Sequence, residues 1–150
     1  MTKLIARYDV VATAIADRVV SQFLAAWSTD DEALRRRHLQ ATWSHRSRLA
    51  DHWLELEGLE AIAAHIAQFR ADHPGARFMI DAVDAHHCWI RLRWRLLGCN
   101  GAPLLAGESF VELGDDRKIA LLVSFFDPAE CDADKRSISR EEAPKPPTVD

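Results

Sequence analysis

The sequence HHCWIRLRWRLLGCNGAPLLAGESFVEL, residues 86–113, contains two strand-length apolar runs on either side of an Asn-Gly pair. Asn-Gly is a strong hairpin signal, because a type I′ turn requires positive φ at both of its central positions. Residues 86–97 and 104–113 are therefore predicted to form paired antiparallel strands. This register sets Glu108 opposite Arg93 and Ala106 opposite Arg95.

Helices and further strands are predicted on both sides of this hairpin. Residues 4–27 carry apolar side chains at every third or fourth position, which is typical of an amphipathic helix. A second helix is predicted from Asp31 to Thr42 and a third between Gly58 and His73. Strand patterns occupy residues 43–51, 77–84 and 118–126. Together these elements predict an α+β fold, a cone of three helices on one face of a curved, mainly antiparallel sheet.

Length and composition exclude several classes of protein. A chain of 150 residues, 48% hydrophobic and 28% charged, can bury the core of a single domain. It contains no apolar run of the roughly 18 residues that cross a bilayer, so no membrane partner is expected. A net charge of -4 argues against a nucleic-acid partner.

The first residues of the sequence and its cysteines predict a cytoplasmic protein. The first residues lack the apolar segment of a signal peptide, since Arg7 and Asp9 interrupt it. Three cysteines without C-x-x-C spacing argue against a disulfide framework and a thiolate metal site.

We expect one domain over residues 1–129, followed by a mobile polar tail over residues 130–150.

Several short segments, in this order and spacing, resemble a known superfamily. They include FLAAW at residues 23–27, LAD at 49–51, EGLEAI at 57–62, RLRW at 91–94 and SFFDP at 124–128. The chain from residue 14 to 128 resembles the nuclear transport factor two-like superfamily, in its SnoaL-like polyketide cyclase and ketosteroid isomerase-like branch. That superfamily contains isomerases, cyclases, hydrolases, dehydratases and pockets without known chemistry, so the resemblance implies the fold more specifically than the function.

The resemblance also implies roles for individual residues. In the ketosteroid isomerase branch a carboxylate after the first strand removes a proton next to a carbonyl, and two donors hold the enolate oxygen. Asp51 matches the base and Glu108 the protonated acid. Phe23 stands where the branch has a tyrosine, and a phenyl ring donates no hydrogen bond. His52 replaces the proline that usually follows the base.

Two of these residues have an alternative interpretation. Strand alternation places Glu108 outside, paired with Arg93, unless a bulge at Gly107 turns it into the pocket. Asp51 is equally typical of a turn at the end of a strand.

The remaining site residues are predicted from aromatic content and strand alternation. His52 and His45 are further candidates for acid-base chemistry. His86 and His87 should point to opposite faces of a strand, so no metal site is expected there. The predicted lining of the pocket is Phe23, Trp27, Trp43, His45, Trp53, Ile66, Trp94 and Phe125.

The predicted function is that of a pocket for a small hydrophobic or aromatic molecule. If the protein is an enzyme, we expect isomerase or cyclase chemistry with Asp51 as the base, Glu108 or a histidine as the acid, and no cofactor. One alternative is a non-catalytic dimeric ligand-binding or interaction module. Another is an epoxide-opening hydrolase, which would need Asp51, Arg93 and Asp127 together.

The last strand predicts a partner. Ile119, Leu121, Val123 and Phe125 should face one way and Leu122 and Phe126 the other, so both faces of the strand need cover. Helices can cover only one face. We therefore expect a homodimer formed through the outer face of the sheet.

Overall fold

The computed structural model describes residues 5–127, with side chains described from residue 12 onward. In chain order the elements are α1 (Ile5–Ser28), α2 (Glu32–Thr42), β1 (Trp43–Ala50), β2 (Glu55–Glu57), α3 (Leu59–Asp72), β3 (Arg77–His86), β4 (Trp89–Leu97), β5 (Pro103–Leu113) and β6 (Ile119–Phe126). The predicted tail over residues 130–150 lies outside the described residues.

The six strands form one curved sheet in the order β2-β1-β6-β5-β4-β3. β1 and β6 run parallel, whereas every other neighbouring pair is antiparallel. α1 packs against β3, and α3 packs against β1. This α+β architecture confirms the predicted fold class.

None of the helices within residues 5–127 is long and apolar enough to span a membrane.

The predicted helix boundaries are confirmed within one or two residues. Asp31 caps α2, since its side chain accepts a hydrogen bond from the Leu34 backbone N–H at 2.9 Å. Gly58 precedes α3 with φ +89°, a backbone conformation that favours glycine. His73 ends α3, and its backbone N–H donates to the Phe69 carbonyl. Hydrogen bonds and backbone conformation at these residues thus set where the helices begin and end.

The β4–β5 hairpin has the predicted register but a different turn. Arg93 pairs with Glu108 and Arg95 with Ala106, as expected. The predicted type I′ turn is wrong, because only Gly101 of the Asn-Gly pair has positive φ, at +79°. The loop is longer, and the Asn100 side chain accepts a hydrogen bond from the Ala102 N–H at 2.9 Å.

Two irregularities change which side chains face inward. The register of β1 against β6 shifts between Trp43 and Arg48, and the register of β6 against β5 shifts by one residue at Ala120. Each shift interrupts the strict alternation of a strand. Ile119 is consequently almost fully buried, whereas Phe125 of the same strand is 55% exposed.

The core lies between the helices and the inner face of the sheet. Its centre is formed by fully buried side chains from both layers, among them Leu39, Trp43, Ile62, Ile66 and Val111.

The structure contains one strand, β2, that the sequence analysis did not predict. With three residues and one half-buried side chain, Leu56, it offers too short a pattern to be recognised.

Candidate functional site

A cavity of about 190 Å³ lies between the helices and the inner face of the sheet. Most of its walls are apolar, with a few polar groups among them, as is typical of small-molecule sites. Its lining consists of Phe23, Leu24, Trp27, Leu49, Asp51, Trp53, Leu54, His65, Gln68, Phe69, Asp72, His73, Phe78, Ile80, Leu92, Trp94, Leu96, Leu104, Leu105, Ser109, Leu122, Ser124 and Phe126. Of the residues predicted to line a pocket, Phe23, Trp27, Trp53 and Trp94 are in this lining.

A chain of hydrogen bonds crosses the sheet wall of the cavity. Trp94 Nε1 donates to Ser109 Oγ at 2.9 Å, and Ser109 Oγ lies 2.7 Å from Ser124 Oγ. Trp94 and Ser109 are buried, while Ser124 is half-buried. The three residues come from β4, β5 and β6, so sheet pairing holds the chain in place.

Asp51 is a half-buried carboxylate on the same wall. It follows the last residue of β1, and its Oδ1 accepts hydrogen bonds from the backbone N–H groups of Trp53 at 2.8 Å and Leu54 at 3.1 Å. These bonds form an Asx turn, which is the structural role that the sequence also predicted. Within residues 12–127, Oδ2 accepts no hydrogen bond.

Asp51 and Ser124 occupy neighbouring positions on two adjacent strands. In the parallel β1–β6 pair, Leu49 lies beside Leu122 and Ala50 beside Val123, and Asp51 and Ser124 are the residues that follow this last pair. Side chains two residues apart on a strand share a face, and Leu49 and Leu122 both line the cavity. Asp51 and Ser124 both line the cavity where β1 and β6 run together.

The helical wall comes from one face of α3 and the end of that helix. His65, Gln68, Phe69 and Asp72 follow a spacing of three or four residues and line the cavity. The placement of Ile66 in the lining is wrong. Ile66 belongs to the neighbouring stripe of α3, fully buried in the core behind the wall.

The first strand contributes fewer lining residues than predicted. Trp43 is buried at the start of β1, against Phe23 at a ring distance of 5.9 Å, and does not reach the cavity. His45 is exposed and also absent from the lining. The prediction for His45 assumed strict alternation along β1, which the register shift between Trp43 and Arg48 breaks. Trp43 is buried in the core instead, at the end of β1 far from Asp51.

Phe125 and His52 are also outside the cavity. The extra residue at Ala120 places Phe125 on the outer face, and its neighbour Phe126 lines the cavity instead. His52 is exposed, with its ring 5.0 Å from the ring of Phe126. The structure thus places His52 against the outside of an aromatic wall that includes Trp53, whose ring lies 4.6 Å from Phe126.

Glu108 faces away from the cavity. Its carboxylate lies 3.6 Å from Arg93 in a groove on the outer face of the sheet, whereas the next residue, Ser109, lines the cavity. The hairpin register continues through Gly107 without a bulge, so ordinary alternation holds. Asp51 and Glu108 are on opposite sides of the sheet, which excludes the predicted pairing of these two as base and acid.

The outer groove also separates the residues of the epoxide hydrolase alternative. Arg93 and Asp127 line the outer groove, and Asp51 lines the cavity. An activated water would need all three around it. The structure does not assemble that cluster.

The arginines of β4 are paired on the outer face, as alternation predicts. Arg91 contacts Asp84 at 3.0 Å, and Arg95 contacts Asp81 at 2.7 Å. Hydrogen bonds from Arg95 to both oxygens of Asp81 hold the pKa of this carboxyl below its usual range.

The substitution Arg95→Gln should return the pKa of Asp81 toward its ordinary value. A lowered carboxyl pKa stabilises the folded state above the ordinary carboxylate range, and this contribution is lost as pH falls through the folded pKa. Carboxyl NMR titration measures the change. Arg91→Gln is the control, because Arg91 pairs with Asp84. An Asp81 pKa that is unchanged in Arg95→Gln would contradict the assignment.

Two histidines at the β3–β4 turn lie closer together than predicted. His87 is in the turn, with φ +52°, so its Nδ1 approaches His86 Nδ1 to 3.2 Å. The expectation that they point to opposite faces is wrong, since it treated both as strand residues. Among the described residues, no group of three or more His, Cys, Asp or Glu side chains is arranged to hold a metal ion.

The sequence analysis missed the two serines of the cavity wall. Ser109 and Ser124 interrupt apolar runs on the inward faces of β5 and β6, and each is a hydroxyl among inward-facing apolar neighbours. A buried hydroxyl requires a hydrogen-bond partner. Two serines at inward-facing positions of neighbouring strands are therefore the sequence signal that could have identified this part of the cavity wall.

Comparison with known proteins places this architecture in a family. Neither a family model nor a curated protein matches the sequence. Among solved structures, an isomerase candidate of the SnoaL-like family from Agrobacterium tumefaciens str. C58 matches with a TM-score of 0.71 and 30% sequence identity, over 76% of this chain and 98% of that chain. The chain belongs to the SnoaL-like family.

More distant structures share the SnoaL-like fold. A polyketide cyclase candidate from Sinorhizobium meliloti matches with a TM-score of 0.58 and 16% identity, over 71% of this chain and 92% of that chain. A protein with a cystatin-like fold from Methylobium petroleophilum PM1 matches with a TM-score of 0.65 and 17% identity, over 91% of this chain and 96% of that chain. These findings confirm the resemblance to SnoaL-like proteins that the short sequence segments indicated.

Proposed function

We propose that this SnoaL-like protein binds a small, mostly apolar carbonyl compound in its cavity and removes a proton from the carbon next to the carbonyl. Asp51 is the proposed base. The observation that carries the proposal is the position of this carboxylate, half-buried in an apolar wall, with Oδ1 held by two backbone N–H groups and Oδ2 without a hydrogen bond among the described residues. A base held in this way is already oriented before substrate arrives.

The proposed step conserves atoms and charge. Asp51 Oδ2 takes the proton, the C–H electron pair forms a carbon–carbon double bond, and the carbonyl π pair moves to oxygen as an enolate. The protonated Asp51 exchanges this proton with solvent water and then protonates the same carbon or another carbon of the conjugated system. Hydrogen bonding to the enolate oxygen suffices for this chemistry, so the proposal includes no cofactor.

Deuterium exchange into a bound ketone tests the proposal. The probe is 2-tetralone, an aromatic ketone with acidic protons next to its carbonyl, incubated with the protein in D₂O and followed by proton NMR. We expect saturable, protein-dependent loss of these proton signals. Saturable binding without exchange would contradict catalysis and support the alternative of a non-catalytic ligand-binding module. Absence of binding across a panel of aromatic ketones would contradict the ligand class.

We also propose that two copies associate through the outer face of the sheet. Phe110 is 42% exposed and Phe125 55% exposed there, and their rings lie 6.1 Å apart. Around them the face carries paired arginines and carboxylates, so a two-fold related copy meets both signs of charge. Exposed aromatic rings within a polar rim are typical of an interface.

The substitution Phe110→Asp should give a monomer. The substitution removes an exposed aromatic ring from the proposed interface and puts in its place a carboxylate that must lose water on association. Light scattering after size exclusion measures the mass. Leu34→Asp is the matched control, because Leu34 is an exposed side chain on α2. A monomeric unsubstituted protein, or a dimeric Phe110→Asp variant, contradicts this interface.

A further inference from the structure

We propose that Ser124 is the group that binds the carbonyl oxygen, and that Trp94 and Ser109 orient its hydroxyl for that purpose. The inference rests on the proposed function, since it names how the same cavity recognises the substrate. It assigns the role of hydrogen-bond donor to a residue of the last strand. Phe23, at the position where the resemblance implied a donor, has no polar atom to offer.

The direction of the hydrogen-bond chain follows from the donors available. An indole N–H can only donate, so Trp94 donates to Ser109 Oγ. The hydroxyl hydrogen of buried Ser109 then has one partner among the described residues, Ser124 Oγ at 2.7 Å. The reverse direction would leave the Ser109 hydrogen unpaired in a buried position, which is unfavourable because a buried donor loses its hydrogen bonds to water.

The hydroxyl hydrogen of Ser124 is the last donor in this series of hydrogen bonds. Ser124 accepts from Ser109, and in the part of the chain that the structure describes it makes no second hydrogen bond. Ser124 is half-buried and lines the cavity. Its O–H is therefore free to donate to an acceptor on a ligand, and acceptance from Ser109 strengthens it as a donor.

The position of this donor fits the proposed reaction. Ser124 and Asp51 directly follow the last paired residues of the parallel β1–β6 pair, where strands are roughly 5 Å apart, and both line the cavity. The two side chains form no hydrogen bond with each other, so each faces the cavity separately. A carbonyl oxygen on Ser124 brings the neighbouring carbon toward Asp51, and the donor lies where negative charge develops.

Binding of a ketone and of its hydrocarbon counterpart tests the role of Ser124. The probes are 2-tetralone, labelled at the carbonyl carbon for infrared spectroscopy, and tetralin, which has a methylene group in place of the carbonyl. We expect the unsubstituted protein to bind the ketone more tightly and to lower its carbonyl stretching frequency. Ser124→Ala should reduce this preference by about 2- to 10-fold and abolish the frequency shift.

The same variants should differ in proton exchange. Ser124→Ala should slow exchange of 2-tetralone by about 10²- to 10³-fold, and Ser124→Thr, which keeps the hydroxyl, should restore both the rate and the infrared shift. Ser109→Ala should broaden the carbonyl band, because the Ser124 hydroxyl remains but is no longer oriented. A band as narrow as that of the unsubstituted protein would overturn the positioning role of Ser109.

The outcomes separate this inference from the proposed function. If the unsubstituted protein binds tetralin as tightly as 2-tetralone, or if Ser124→Ala keeps the frequency shift and the rate, the role of Ser124 is overturned while Asp51 remains the base. If Asp51→Asn keeps the exchange rate and Ser124→Ala loses the frequency shift, the proposed base is wrong while carbonyl binding by Ser124 stands.

Discussion

Asp51→Asn is expected to lower the rate of deuterium exchange into bound 2-tetralone by about 10²- to 10⁴-fold. Asparagine keeps the Oδ1 atom that accepts the Trp53 and Leu54 backbone N–H groups, so the turn after β1 should persist. Its amide cannot take up the proton that the carboxylate accepts. The change thus removes the proposed chemistry and keeps the structural role.

Asp51→Ala is the matched comparison, because it removes both roles. It should lose exchange to the same extent and also be about 1–2 kcal/mol less stable than Asp51→Asn, since two backbone N–H groups lose their acceptor. Urea unfolding measures the free energies, and NMR measures the exchange rates at saturating ketone. An Asn variant that exchanges at the rate of the unsubstituted protein would show that Asp51 has only the structural role.

Gly107→Ala is expected to destabilise the protein by about 3 kcal/mol, a large value for the addition of one methyl group. A Cβ at Gly107 would overlap the Phe125 carbonyl oxygen and lie 2.8 Å from Cζ2 of Trp94. The carbonyl belongs to the sheet backbone and cannot move without breaking pairing between β5 and β6. The overlap with the carbonyl therefore disturbs this pairing, and the Trp94 ring must shift as well, and with it the donor to Ser109.

Gly101→Ala separates this overlap from the general cost of replacing a glycine. Gly101 has φ +79°, but a Cβ there meets no heavy atom within 4 Å, so only backbone strain of about 1 kcal/mol is expected. Thermal or urea unfolding compares the two variants. The infrared shift of bound 2-tetralone should weaken only in Gly107→Ala. Equal stabilities for both variants would mean that the sheet yields at Gly107 more easily than the contacts imply.

Much of the fold could be predicted because local patterns and the final structure agree. The spacing of apolar residues found the helices, Asp31 marked the start of α2, and the hairpin gave the pairing of Arg93 with Glu108. The exact turn was missed because the loop at Gly101 depends on the Asn100 side chain and on a register shift after Leu96.

The site was predicted less completely, because single residues decide which way a strand faces. A shift at Ala120 is enough to exchange Phe125 for Phe126 in the cavity, and the shift in β1 removes His45 from it. A sequence shows the alternation of a strand but not where the alternation slips. For Glu108, strand alternation alone predicted the outer face of the sheet correctly, and the pocket position implied by the resemblance was wrong for this chain.

The parallel contact between β1 and β6 makes the candidate site depend on the completion of folding. Asp51 directly follows the first strand to be synthesised and Ser124 belongs to the last, and they come together only when β6 docks against β1. A nascent chain that has emerged from the ribosome as far as β5 would therefore hold the carboxylate without its hydroxyl neighbour. Reactivity toward a ketone would then report that the final strand is in place.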